Sequence, residues 1–307
     1  MGRYHFTCSF TDQALLPPFK GSAIRGKLGH CLKKISCALR ARQSCKDCLL
    51  HSSCCYALFF EPRKVAGDQR SRTAAWPQPY VLEGDPESNR FYVPGQEFTF
   101  SLLVFGRRMN ELLPHLVYAV ETMGWEGLCS RREYPGTFEL QTISSDQECI
   151  YDHKKILNGR DRVFPHDLAP SPASRPERLL VRLLTPLRVK ADNRFQDNLS
   201  FQLLVRAALR RISLLEEAYG HGEPSLDYPG LLEKAGEVEI RAADYGWQEV
   251  ERYSSRQQSK MSLGGMVGEV EYKGDLQEFY PLLKYCETTH LGKQTSFGLG
   301  RIEVEAA

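Results

Sequence analysis

A chain of 307 residues, 42% hydrophobic and 25% charged, is long enough to bury one large core or two modest ones and is too apolar for wholesale disorder. No apolar run approaches the roughly 18–20 residues a membrane-spanning helix needs. The opening Met1-Gly2-Arg3-Tyr4-His5-Phe6 lacks the apolar core of a secretory leader, so a cytoplasmic protein without membrane contact is expected. Net charge is only +2, but residues Lys20 to Ala74 hold twelve Lys/Arg against three Asp/Glu, a local +9 that leaves the remainder at −7. Positive charge concentrated in this way is the footprint of a polyanion site.

Tyr4–Phe10 alternates and predicts a strand. Gly21-Ser22 then opens a helix whose apolar positions Ile24, Leu28, Cys31, Leu32 and Ile35 fall within about a third of the helical wheel. A cysteine-rich knob runs from Cys37 to Cys55. A polar stretch leads to a strand at Glu97–Phe105, a helix around Leu112–Met123 stopped by Gly124, and a strand at Thr137–Ile143. Pro165, Pro170, Pro172 and Pro176 crowd the segment Val163–Arg178, and proline at that density breaks regular structure.

The second half repeats the grammar. Leu179–Val189 reads as a strand. Asn198 or Ser200 caps a long helix to Tyr219, with Phe201, Val205, Ala208, Ile212 and Leu215 inward and Arg206 and Arg210 outward. Strands follow at Glu237–Ala242, Trp247–Tyr253 and Met266–Tyr272, then a helix from Leu276 to Thr289, a glycine-rich loop, and a closing strand Arg301–Glu305. Alternating strands and helices of this order predict an α+β fold of two tandem ferredoxin-like domains. The first spans 1–164 and carries the knob at 37–55, a proline-rich linker spans 165–178, and the second domain spans 179–307.

The glycine-rich loop reads His290-Leu291-Gly292-Lys293-Gln294-Thr295-Ser296-Phe297-Gly298-Leu299-Gly300-Arg301. A phosphate-binding P-loop follows a strand and opens a helix. Here the order is helix, loop, strand, which excludes both that motif and a dinucleotide fingerprint. What remains is a flexible loop able to approach a sugar–phosphate chain closely, with Gly292, Lys293, Gln294, Thr295, Ser296, Gly298 and Gly300 as contacts. The segment Trp247 to Lys260 interleaves Trp247, Arg252, Tyr253, Arg256 and Lys260, a mixture of planar and cationic groups suited to unpaired bases and phosphates. The knob reads Cys37-x7-Cys45-x2-Cys48-x5-Cys54, four thiolates at a spacing that fits one structural zinc. Cys55 is an alternative fourth ligand, an iron–sulfur cluster an alternative metal centre, and reduced cysteines without metal the plain alternative.

Met261-Ser262-Leu263-Gly264-Gly265-Met266-Val267-Gly268, Gly274-Asp275-Leu276, Pro281-Leu282-Leu283 and the loop ending Gly298-Leu299-Gly300-Arg301 resemble the C-terminal domain of the RAMP-superfamily endoribonucleases that cut CRISPR precursor RNA at each repeat. Gly21-Ser22-Ala23-Ile24-Arg25-Gly26 and Phe60-Glu61 extend the resemblance toward the start, adding Arg25 as an RNA contact. It implies cleavage within CRISPR repeats without a catalytic metal, leaving 2′,3′-cyclic phosphate and 5′-hydroxyl ends, with repeat RNA and a CRISPR effector complex as partners. Attack by a 2′-hydroxyl needs a base, cations for the phosphorane and a proton for the departing 5′-oxygen. On the first helix Lys27, His30 and Lys34 stand at i, i+3 and i+7 on one stripe, and the family draws catalytic groups from this helix. His290, beside Lys293 at the lip of the loop, is the competing base. Two other readings stay open: a non-catalytic RNA-binding subunit of an effector complex, and a zinc-stabilised nucleic-acid adaptor unrelated to CRISPR.

Overall fold

Alternation of apolar and polar side chains builds the first strand, β1 (Gly2–Phe10), which buries Tyr4, Phe6, Cys8 and Phe10 and turns the residues between them outward. The computed structural model describes residues 1–39, 44–64, 75–84, 89–129, 133–146, 148–152, 155–156, 168–169, 175–191, 194–254 and 259–306. Contacts divide the chain into two units, Met1–Phe164 and Pro165–Ala307.

In the first unit β1 is flanked by β2 (Tyr80–Glu83), β3 (Glu97–Val104), β4 (Phe138–Ser145) and β5 (Glu148–Asp152), in the antiparallel order β2-β3-β1-β4-β5, with Lys155–Ile156 at the far edge. Phe6 stacks on its register partner Phe100 at 4.7 Å and Phe10 on the diagonal Phe98 at 4.6 Å, so cross-strand aromatic contacts contribute to the core. Helices α1 (Lys20–Ser36), α2 (Cys55–Phe60) and α3 (Leu113–Glu126) pack in this unit, with a short helix at Arg107–Glu111 leading into α3. Helix α1 buries Ile24, Leu28, Cys31 and Leu32, while Ile35 is only half-buried. The sequence placed the end of α3 at Gly124. The helix instead runs through it to Glu126. A Cβ at Gly124 would sit 2.2 Å from the Phe138 carbonyl, so this glycine serves helix–sheet approach. Gly127, at φ +76°, is the residue that stops the helix.

The second unit contains β6 (Arg178–Leu187), α4 (Phe201–Tyr219), α5 (Tyr228–Ala235), β7 (Glu239–Gln248), β8 (Glu251–Ser254), β9 (Ser259–Ser262), β10 (Gly265–Lys273), α6 (Tyr280–Thr289) and β11 (Ile302–Ala306). Its main sheet is antiparallel, in the order β7-β10-β6-β11. Ser200 caps α4 by accepting from the Leu203 amide, and Phe201, Val205, Ala208, Ile212 and Leu215 all face inward. Three sequence boundaries move. Trp247 lies at the end of β7, because that strand pairs with β10 without a break from Ala242 to Gln248. The following segment is a separate hairpin, β8–β9. Helix α6 starts at Tyr280 rather than Leu276, since Pro281 fits only the first turn. Helix α5 was not predicted. Among the described residues no helix is long and apolar enough to cross a membrane.

Candidate nucleic-acid interface

In the first unit the three stripe residues of α1 meet a carboxylate from α3. Lys34 Nζ lies 2.7 Å from Glu126 Oε1 and Lys27 Nζ 2.9 Å from Oε2; His30 Nε2 is 3.8 Å from Oε2. Hydrogen bonds from Lys34 and then Lys27 hold the Glu126 carboxyl down at about 2. The His30 side chain is 67% exposed, open to a ligand. The structure therefore gathers Lys27, His30 and Lys34 on one face, as their spacing predicts, but with their charge partly neutralised by Glu126. Sequence reasoning missed that residue, which sits 92 positions from Lys34.

The basic segment is not one exposed stripe. Lys20 is buried over the Tyr92 ring, Arg25 lies over Phe60, Lys33 over Tyr56 and Lys64 over Trp76. Arg25 is half-buried within its own unit, its guanidinium stacked on the Phe60 ring. In the knob, Cys37, Cys45, Cys48 and Cys54 are all half-buried. Among the described residues no three metal-ligating side chains converge, so the thiols as placed do not form a closed zinc site.

In the second unit the glycine-rich loop is fastened to the end of β6 rather than flexible. Lys293 donates its amide to the Arg188 carbonyl (2.9 Å) and Gly300 to the Pro186 carbonyl (3.2 Å). Thr185 Oγ1 donates to the Gly298 carbonyl and accepts from the Arg301 amide, both at 2.9 Å. The glycines permit this closeness. A Cβ on Gly292 would stand 2.5 Å from the Arg188 carbonyl, and one on Gly300 1.8 Å from that of Leu291. Both, with Gly298, have positive φ. Thr295 and Ser296 are buried, which turns those two predicted contacts inward. His290 is 0% exposed, with Nδ1 3.1 Å from the Leu299 carbonyl. The sequence put it at the lip; the structure makes it an anchor of the loop's base, unable to touch RNA as it stands.

What the loop exposes is Lys293, with Gly292 and Gln294 half-buried. Desolvation, then the charges of Arg210 and Lys190, pull the Lys293 ammonium below its usual value, which places three cations in one neighbourhood. Phe195, 40% exposed, lies beneath Arg188 and Lys190 at 4.3 and 4.6 Å. Arg252 packs over Phe297 at 4.5 Å, tying the β8–β9 hairpin to the loop. Arg256 lies outside the described residues, as do the side chains of Tyr253 and Lys260. Sequence reasoning passed over Arg188, Lys190 and Phe195; the signal available was an aromatic bracketed by cations in Lys190 to Phe195.

Residues 1–168 match a family model named AF_1859_N, described as an N-terminal domain. Residues 181–302 match the model described as CRISPR-associated endoribonuclease Cas6. No curated protein matches. Among solved structures, a Cas6 product complex is 14% identical with a TM-score of 0.56, covering 99% of each chain. Thermus thermophilus Cas6 is 13% identical at 0.54, covering 99% of this chain and 98% of that one. A partial Cas6-RT-Cas1–Cas2 complex is 13% identical at 0.55, covering all of this chain and 46% of that one. At these identities the likeness is one of fold: mixed α/β with antiparallel sheets.

Proposed function

This chain belongs to the Cas6-type CRISPR repeat-processing proteins, an RNA-cleaving family, and from that premise we propose that it is a cytoplasmic, metal-independent endoribonuclease acting within the repeats of CRISPR precursor RNA. The observation that carries the chemistry is the exposed α1 face, with an imidazole and two ammonium groups around Glu126. His30 takes the proton of the attacking 2′-hydroxyl. The 2′-oxygen bonds to phosphorus, the bond from phosphorus to the 5′-oxygen breaks, and that oxygen leaves as a hydroxyl with a proton taken from solvent water. Lys27 and Lys34 offset the charge that gathers on the phosphorane, released from Glu126 as the phosphate competes for them. Lys293, Lys190, Arg210 and the Arg188–Phe195 stack bind the backbone and bases of the same RNA.

The reading includes two ferredoxin-like units, supported by the shared order of their main strands, in which the second and third lie to one side of the first and the fourth to the other. Zinc in the knob is proposed on the spacing of Cys37, Cys45, Cys48 and Cys54 alone; binding would have to draw the thiols together. The test is direct. Purified protein treated with chelator should cut repeat RNA at one position and leave a 2′,3′-cyclic phosphate, and a 2′-deoxy substitution upstream of the cut should stop cleavage but not binding. Strict dependence on a divalent metal would contradict the mechanism. The grip of Glu126 on both lysines favours a second reading, a non-catalytic RNA-binding subunit of a CRISPR effector complex; repeat RNA that is bound and stays intact would select it.

A further inference from the structure

The outer face of α3 exposes two large aromatic side chains beside the cationic cluster. Trp125 is 62% and Tyr118 50% exposed, with ring centroids 6.3 Å apart and nearly perpendicular. They stand seven residues apart, two helical turns, while the intervening Ala119, Val120, Met123 and Gly124 are buried. Trp125 adjoins Glu126, the residue that holds Lys27 and Lys34. The Tyr118 phenol is among the groups that raise the Lys34 ammonium, after the hydrogen bond and charge of Glu126. Glu126, next in sequence to Trp125, thus brings the two lysines to the end of α3 that carries the rings. A protein-docking core is depleted of charge, whereas this end of α3 is edged by two lysines, a histidine and a glutamate. Exposed aromatic planes beside ammonium groups match a nucleotide strand, whose bases stack while its phosphates pair with the cations.

We propose that Trp125 and Tyr118 form a stacking shelf for an unpaired base of the bound RNA, next to the phosphate held by Lys27 and Lys34. The shelf rests on the functional reading above and deepens it: it gives the substrate an unpaired nucleotide beside the scissile phosphate and sets its position along α1. Stacking on an aromatic plane is tolerant of base identity, so the shelf selects for an unpaired base rather than a particular one.

Two measurements on the full chain test this. The first is tryptophan fluorescence of the wild type minus that of Trp125→Phe, titrated with a single-stranded RNA lacking the reactive 2′-hydroxyl. The shelf predicts quenching in the difference signal, and none with a duplex of the same sequence. The second is affinity for repeat RNA. Trp125→Ala should weaken it roughly tenfold, the loss of one base stack, with Trp125→Phe restoring most of it and an abasic nucleotide at that position erasing the difference. Absent quenching together with unchanged affinity overturns the shelf. So does a shift in the sedimentation of the RNA-free protein on Trp125→Ala, which would mean the rings meet a second copy of the chain. The quenching experiment needs no cleavage, so a protein that never cuts repeat RNA ends the functional reading while leaving the shelf to be decided on binding.

Discussion

Glu126 governs the charge of the α1 face. Its carboxyl titrates at about 2, below the usual 4.5, because Lys34 and Lys27 donate to it. A folded-state value below the unfolded one gives stability that is complete above about pH 4.5 and is lost as pH falls toward 2. Glu126→Gln should therefore cost about 1 kcal/mol at pH 7, as befits a partly exposed pair, and the gap from wild type should close by pH 2; denaturant melts at both pH values measure it. Arg211 is a different case. It is buried and donates to the Thr289 carbonyl at 2.7 Å, one residue before His290, and burial brings its guanidinium down to about 10. Arg211→Met should cost roughly 2 kcal/mol, the range for a hydrogen bond to a charged group, and should weaken RNA binding by loosening the loop's base. Lys27, His30 and Lys34 were legible because helical period alone puts them on one stripe. Glu126 was not, since the pairing of α1 with α3 has no local signature. His290 was misjudged for a related reason: a histidine beside glycines reads as exposed, and only the close packing of those glycines shows that it is buried.

Among the elements, the glycine-rich loop separates two roles that its sequence merges. Gly300, at φ +71° with a carbonyl 1.8 Å from its missing Cβ, is required for the fold. Gly300→Ala should destabilise the second unit by more than about 1 kcal/mol, seen as an earlier thermal transition. Lys293→Ala should leave that transition in place and flatten the salt dependence of single-stranded RNA binding by about 0.7 in log–log slope, one phosphate contact. The same slope in both proteins would remove Lys293 from the interface. The knob poses the opposite problem. From Lys33 to Cys54 no described residue is buried, so burial of side chains does little to hold it, and a metal is one way to order so small a segment. Elemental analysis should find about one zinc per chain, lost in Cys45→Ser. Metal-free protein of unchanged stability would contradict the zinc.

At the scale of the molecule, topology was the more legible part. Strand and helix periods differ, so the succession of elements could be read from composition and spacing; the proline-rich linker lies mostly outside the described residues. Residues such as Phe195, Arg188 and Lys190 were not, because their stacking depends on a two-strand turn that no period announces. The proposed chemistry rests on one helix face, which narrows the test. Single-turnover cleavage of repeat RNA should be compared for the wild type, His30→Ala and His290→Ala at equal RNA occupancy. A general base on α1 predicts a loss of roughly 100-fold or more in His30→Ala with repeat binding nearly unchanged, and in His290→Ala only a defect that follows loop stability. A rate within a few-fold of wild type for His30→Ala, with cleavage abolished in a folded His290→Ala protein, would contradict the account and move the base to the glycine-rich loop.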